Sequence, residues 1–231
     1  MLDQALNTLT SFDWGSDPNL VTAIDQAVVD TQNDAAARAS LESKLVAALE
    51  SGLSRDATDY VCRKLQVVGT AASVPALAKL LTDEKSSHMA RFSLQHIPGD
   101  EATAALQATL PKLAGSLAAG VIGTLGVRGD KSSVEVIDER LADDDAEVSK
   151  AAAVALGHIA GSKATESLLA CRSFPEVQEA LLRCAESFLA NGKPDEALAI
   201  YKANSFQNPQ VAKHYRLAAQ RGELMCAAAK A

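Results

Sequence analysis

Apolar residues recur along this chain in a short register and a long one. In the short register, Val148, Ala151, Ala152, Ala155, Leu156 and Ile159 stand three, four and seven residues apart. That spacing puts them on one face of an amphipathic helix. Gly161, or the pair Pro98-Gly99 in an earlier copy, then stops the pattern. A second amphipathic stretch of about ten residues follows each stop. In the long register, Leu65, Leu94, Leu125 and Leu156 are spaced by 29, 31 and 31 residues. A second column, Leu77, Leu106, Ile137, Leu168 and Leu198, is spaced by 29, 31, 31 and 30. Two columns keeping one period across several copies mark a repeat protein, in which each unit buries its apolar face against its neighbours.

The units assigned from this period are 54–86, 87–115, 116–146, 147–175 and 176–209. Upstream, Pro18–Thr31 and Asp34–Ser51 read as a further helix pair, nearly in register because Leu45 lies 32 residues before Leu77. Met1–Thr10 reads as a short capping helix and Gln210–Ala231 as a final one. The expected fold is all-α, a right-handed α–α superhelix of about six stacked hairpins. It is expected as one domain over 1–231, with 1–53 as cap and first pair, 54–209 as five repeats and 210–231 as the C-terminal cap. The acidic run Asp143-Asp144-Asp145 precedes a first helix, where carboxylates cap free N–H groups and suit the positive end of the helix dipole.

The phrases Ala153-Val154-Ala155-Leu156-Gly157-His158-Ile159 and Ser73-Val74-Pro75-Ala76-Leu77-Ala78-Lys79-Leu80-Leu81 resemble the HEAT-repeat family, in its short bacterial form with two helices per repeat. The preceding Asp145-Ala146-Glu147-Val148 strengthens the likeness, which covers residues 54–175 well and the rest more loosely. The stretch Leu189-Ala190-Asn191-Gly192-Lys193-Pro194-Asp195-Glu196-Ala197-Leu198 looks more like a tetratricopeptide unit, another stacking hairpin. The resemblance implies a binding or scaffolding role and names no ligand.

Composition sharpens this picture. Of 231 residues, 48% are hydrophobic and only 4% aromatic, which favours close-packed helices of small side chains over one large core. Net charge is −7, and residues 1–53 carry −6 of it, so no basic surface announces nucleic acid. No stretch approaches the ~20 apolar residues of a membrane span. The first residues lack the basic start of a secretion signal, which favours a cytoplasmic site unless a leader has been removed. Cys62, Cys171, Cys184 and Cys226 are too widely spaced for a disulfide framework or a zinc module, and read as small apolar side chains.

Candidate chemistry is sparse. His88, His96, His158 and His214 form no metal-binding spacing, and His96 and His158 are expected to meet carbonyls at helix ends. Gly120, Gly123 and Gly126 lack the spacing of a phosphate loop and are expected inside a helix, permitting close packing. Glu135, Glu166 and Glu196 each stand two residues before a columnar residue. Stacked, they would form an acidic column suited to an extended peptide carrying Lys or Arg; the simpler reading places each in a first helical turn. No catalytic constellation and no cofactor or metal site is expected. The functional expectation is a non-enzymatic interaction or scaffolding module with a protein or peptide partner. The alternatives are a structural array or fragment of a larger multidomain protein that docks or self-associates through the apolar edge Leu224-Met225-Cys226-Ala227-Ala228-Ala229 and, third, an enzyme or enzyme accessory.

Overall fold

The structure is a computed structural model that describes residues 1–171 and 174–230, with 204 and 205 described by backbone alone. Every regular element among the described residues is helical. The chain divides into two compact units, Met1–Leu113 and Ala114–Ala231.

The first unit holds α1 (Leu2–Thr8), α2 (Thr22–Asp30), α3 (Ala35–Leu49), α4 (Arg55–Val68), α5 (Val74–Lys79), α6 (Ser87–His96) and α7 (Asp100–Thr109). The expected helix over Pro18–Thr31 begins as a single 3-10 turn at Pro18–Leu20, capped by Asp17, before α2 starts. Side chains start the longer helices: Asp34 accepts from the Ala37 N–H and Ser54 from the Ala57 N–H. Helix α4 packs on α3 and α6, and α5 on α7. The columnar residues Leu65, Leu77, Leu94 and Leu106 are all fully buried between these hairpins. At ~1.5–3 kcal/mol per buried leucine side chain, the column is a main source of this unit's stability.

One polar group reinforces that interior. Glu42 of α3 is buried, and its carboxylate accepts from the Thr70 N–H at 2.7 Å and from the Ser73 hydroxyl at 2.5 Å. The Thr70 hydroxyl lies 3.0 Å from both carboxylate oxygens. One acid thereby holds the turn that joins α4 to α5.

The second unit holds α8 (Gly115–Arg128), α9 (Val134–Asp138), α10 (Ala146–Ile159), α11 (Ser162–Ala170), α12 (Pro175–Ala190), α13 (Pro194–Tyr201), α14 (Asn204–Gln207) and α15 (Lys213–Ala228). Helices α8, α10 and α12 pack side by side in one row, and α9 packs on α11. The close approach within that row rests on glycine. A Cβ on Gly126 would lie 2.7 Å from the Ala155 Cα, and one on Gly157 would lie 2.8 Å from the Ala180 Cα. Gly123 faces open space, so the packing role expected of the helical glycines belongs to Gly126 and not to Gly123.

The columns hold through Leu125, Ile137, Leu156 and Leu168, all buried. They break at Leu198, which is only half-buried, while Ala197, Ile200 and Tyr201 take the interior of α13. The reason lies in α15, whose Gly222 sits directly on the Tyr201 ring. A large ring against a glycine sets the register there in place of a leucine.

Candidate functional site

The second unit contains a groove of about 580 Å³, formed where the turn after α9 meets the start of α10 and the end of α11. Helix α9 is only five residues long and gives way to tight turns that carry Leu141 inward. The Arg140 guanidinium lies 3.1 Å from Asp143, whose carboxylate also accepts from the Asp145 N–H at 3.0 Å. Those two contacts, the backbone one first, hold Asp143 below the usual carboxylate range. Asp145 itself caps α10, accepting from the Glu147 N–H at 2.8 Å. The acidic run thus divides its labour: Asp145 caps, Asp143 braces the turn, and Asp144 stands exposed.

Around the groove are Asp138, Asp143 and Asp144 as acids, Ser149, Ser167 and Cys171 as neutral polar groups, and Leu141, Ala142, Ala170 and Phe174 as apolar walls. Residues 172 and 173, which follow Cys171, lie outside the described residues. Among the described residues no three carboxylate, thiol or imidazole groups converge as metal ligands would. Asp138, Asp143 and Asp144 all border the opening. Such an arrangement suits a positive charge carried on a body of several atoms.

The glutamates picked out by the repeat period lie elsewhere. Glu135 is in the first turn of α9, exposed, with its carboxylate 3.3 Å from the Lys163 Nζ of α11. Glu196 is in the first turn of α13, as the dipole reading expects. Glu166 is exposed but sits past the first turn of α11, so the dipole accounts for two of the three. Helix α13 packs on α12 and α15, whereas α9 packs on α11.

The histidines do not enter the groove lining. His96 Nδ1 meets the Phe92 carbonyl at 2.9 Å, a helix-end contact of the kind expected. His158 instead stands near Arg183 and Glu179 of α12, and burial followed by the Arg183 charge pushes its pKa down. His214 packs against the Tyr215 ring at 4.0 Å between centroids. Cys62, Cys184 and Cys226 are buried and Cys171 is half-buried, all as free thiols. Burial pushes the Cys62 thiol up to about 12, so it stays protonated. No helix among the described residues is long and apolar enough to cross a membrane.

These elements define the chain as an all-α protein of helical hairpins. No family model matches the sequence, and no curated protein matches it. Among solved structures, an engineered protein is similar at 20% identity and a TM-score of 0.41, covering 90% of this chain and 97% of that one. Human deoxyhypusine hydroxylase in complex with glycerol is similar at 17% identity and a TM-score of 0.32, covering 91% of this chain and 96% of that one. The second likeness corrects the functional expectation drawn from the repeat pattern. A similar structure belongs to an enzyme, so a helical-hairpin pattern does not mark a chain as a non-enzymatic interaction module, scaffold or structural array. At these scores neither likeness carries an activity to this chain.

Proposed function

We propose that the second unit binds an organic cation, an ammonium or guanidinium group on a short apolar body, in the groove between α9, α10 and α11. The observation that supports it is the pairing of three aspartates with the apolar wall of Leu141, Ala142, Ala170 and Phe174 around about 580 Å³. That volume lies within the range of small-molecule sites, whose usual lining is apolar with a few polar groups. Among the described residues, Arg140 pairs with one of the three acids, Asp143.

Exposed ion pairs contribute only ~0.2–1 kcal/mol each, so the apolar wall must supply much of the affinity. The expected dissociation constant is roughly 0.1–1 mM, and it weakens with added salt. The same reading takes the hairpins as short HEAT-type repeats with a tetratricopeptide-like one at α12–α13, supported by the two buried columns and by the departure at Leu198.

Titration of alkylamines and alkylguanidines, against the alcohol and the carboxylate of equal chain length, tests this by calorimetry and amide chemical-shift mapping. The amines should bind with shifts at 138–149 and 167–171, and Asp138→Asn/Asp144→Asn should abolish their advantage. Both positions are exposed, so the variant keeps the fold. Equal binding of amine and alcohol, or shifts confined to other residues, would sink the reading.

A further inference from the structure

Phe174 also lines a second cavity, of about 280 Å³, whose chemistry is different. Phe174 and Gln178 reach it from the start of α12, Asn208, Gln210 and Val211 from the segment before α15, and Tyr215 from the first turn of α15. The segment is held by its own bonds. Asn208 Oδ1 accepts from the Gln210 N–H at 2.9 Å, and the Val211 carbonyl accepts from Arg216 Nε at 3.1 Å. Gln178 is 2% exposed, so one carboxamide is fixed in the wall and two more come from the segment.

The lining carries no formal charge. The nearest acids on α12 are already engaged, Glu176 with Lys150 at 3.3 Å and Glu179 with Arg183 at 3.2 Å. Burial first, and then Glu179 and Glu176, push the Tyr215 pKa up, so its hydroxyl stays neutral. An ion entering this cavity would give up hydration with no opposite charge in the lining to replace it. A neutral ring would lose little. Two aromatic side chains, Phe174 and Tyr215, line the cavity, and stacking on an aromatic ring is worth ~1–3 kcal/mol for a flat base. The exposed Gln210 carboxamide carries a donor beside an acceptor, the complement of a cyclic amide or amidine edge. The volume falls just under the ~300 Å³ at which drug-sized sites begin, which limits the occupant to one small ring system.

We propose that this cavity is a subsite for a flat, uncharged heteroaromatic ring with an amide-type edge, the class that contains the free pyrimidine and purine bases and nicotinamide. It stands on residues other than the aspartates, so it does not depend on the cation reading.

Saturation-transfer NMR on the full chain, with uracil, adenine and nicotinamide beside benzyl alcohol, benzoate and tetramethylammonium, reads the class directly. The amide-edged rings should receive saturation. Their affinity should fall about tenfold or more in Tyr215→Leu, the loss of ~1.4 kcal/mol of stacking. Gln210→Ala, at an exposed position that leaves the core untouched, should weaken them and leave benzyl alcohol unchanged. Asp138→Asn/Asp144→Asn should have no effect. Absence of transfer to all three amide-edged rings would overturn the proposal. Equal binding of benzyl alcohol would overturn it too, as would a preference for benzoate or tetramethylammonium.

Discussion

Gly123 and Gly126 stand one helical turn apart on α8, and a methyl group added to each meets opposite surroundings. At Gly123 it meets nothing within 4 Å, so Gly123→Ala should gain the ~0.5–1 kcal/mol that alanine holds over glycine in a helix. At Gly126 it meets the Ala155 Cα at 2.7 Å, which is backbone and cannot swing aside. Gly126→Ala must push α10 away and should cost ~1–3 kcal/mol despite the same helix preference. Urea unfolding of the two variants should give opposite signs; a gain at both would mean that α8 and α10 are not in such close contact. Glu42 makes a third test. Glu42→Gln keeps the shape, yet turns a charged acceptor facing Thr70 and Ser73 into a neutral group that presents N–H to donors. Charged acceptors are worth about twice neutral ones, so the expected loss is ~1–3 kcal/mol. Glu42→Gln as stable as the parent would show that the carboxylate is not needed there.

Helix α12 shows how an element changes what a residue does. The position of His158 two residues after the columnar Leu156 resembles that of His96 after Leu94, but only His96 meets a carbonyl of its own helix. His158 faces Arg183 and Glu179 of α12, where burial and the guanidinium outweigh the glutamate and lower its pKa from 6.5. A lowered value in the folded state means that the neutral ring is favoured. The contribution to stability is whole above about pH 6.5 and is lost as pH falls through the lowered value. Melting temperature should therefore drop from pH 7 to 5, and His158→Gln should flatten that slope; an unchanged slope would place the acid sensitivity elsewhere. Leu65, Leu77, Leu94, Leu106, Leu125 and Leu156 were legible in the sequence because a recurring leucine at a fixed period has one cheap explanation, burial against the next hairpin. Leu198 was not, because its neighbour α15 presents Gly222 to Tyr201, a pairing between residues 21 apart that no period records. The groove was illegible for a related reason. Its walls come from a turn, a helix start and a helix end, and periodicity reports which face of a helix is buried, not what three chain ends enclose. The run Asp143-Asp144-Asp145 was legible as a cap, yet only Asp145 caps α10.

At the scale of the whole molecule, the division into two compact units predicts that each holds its own stability. Glu42 meets Thr70 and Ser73 inside Met1–Leu113, and Gly126 meets Ala155 inside Ala114–Ala231. The two substitutions share no partner, and substitutions without shared partners add within ~0.3–0.5 kcal/mol. Hydrogen exchange on Glu42→Gln, Gly126→Ala and the double variant gives the test its spatial reading. Each single change should lower protection in its own unit, and the double variant should show both losses side by side. Urea unfolding would then follow the sum. A different pattern, in which Gly126→Ala lowers protection at α3 and α4 by as much as at α8 and α10, would mean that the hairpins unfold as one cooperative array. Nearest-neighbour coupling between repeats would in that case be stronger than the intrinsic stability of either unit. The same experiment bears on the cation groove, which lies wholly in the second unit. A ligand present at a hundred times its dissociation constant stabilises what it binds by ~2.7 kcal/mol. With separate stabilities, that gain raises protection in residues 114–231 alone; with one cooperative array, it spreads to residues 1–113 as well.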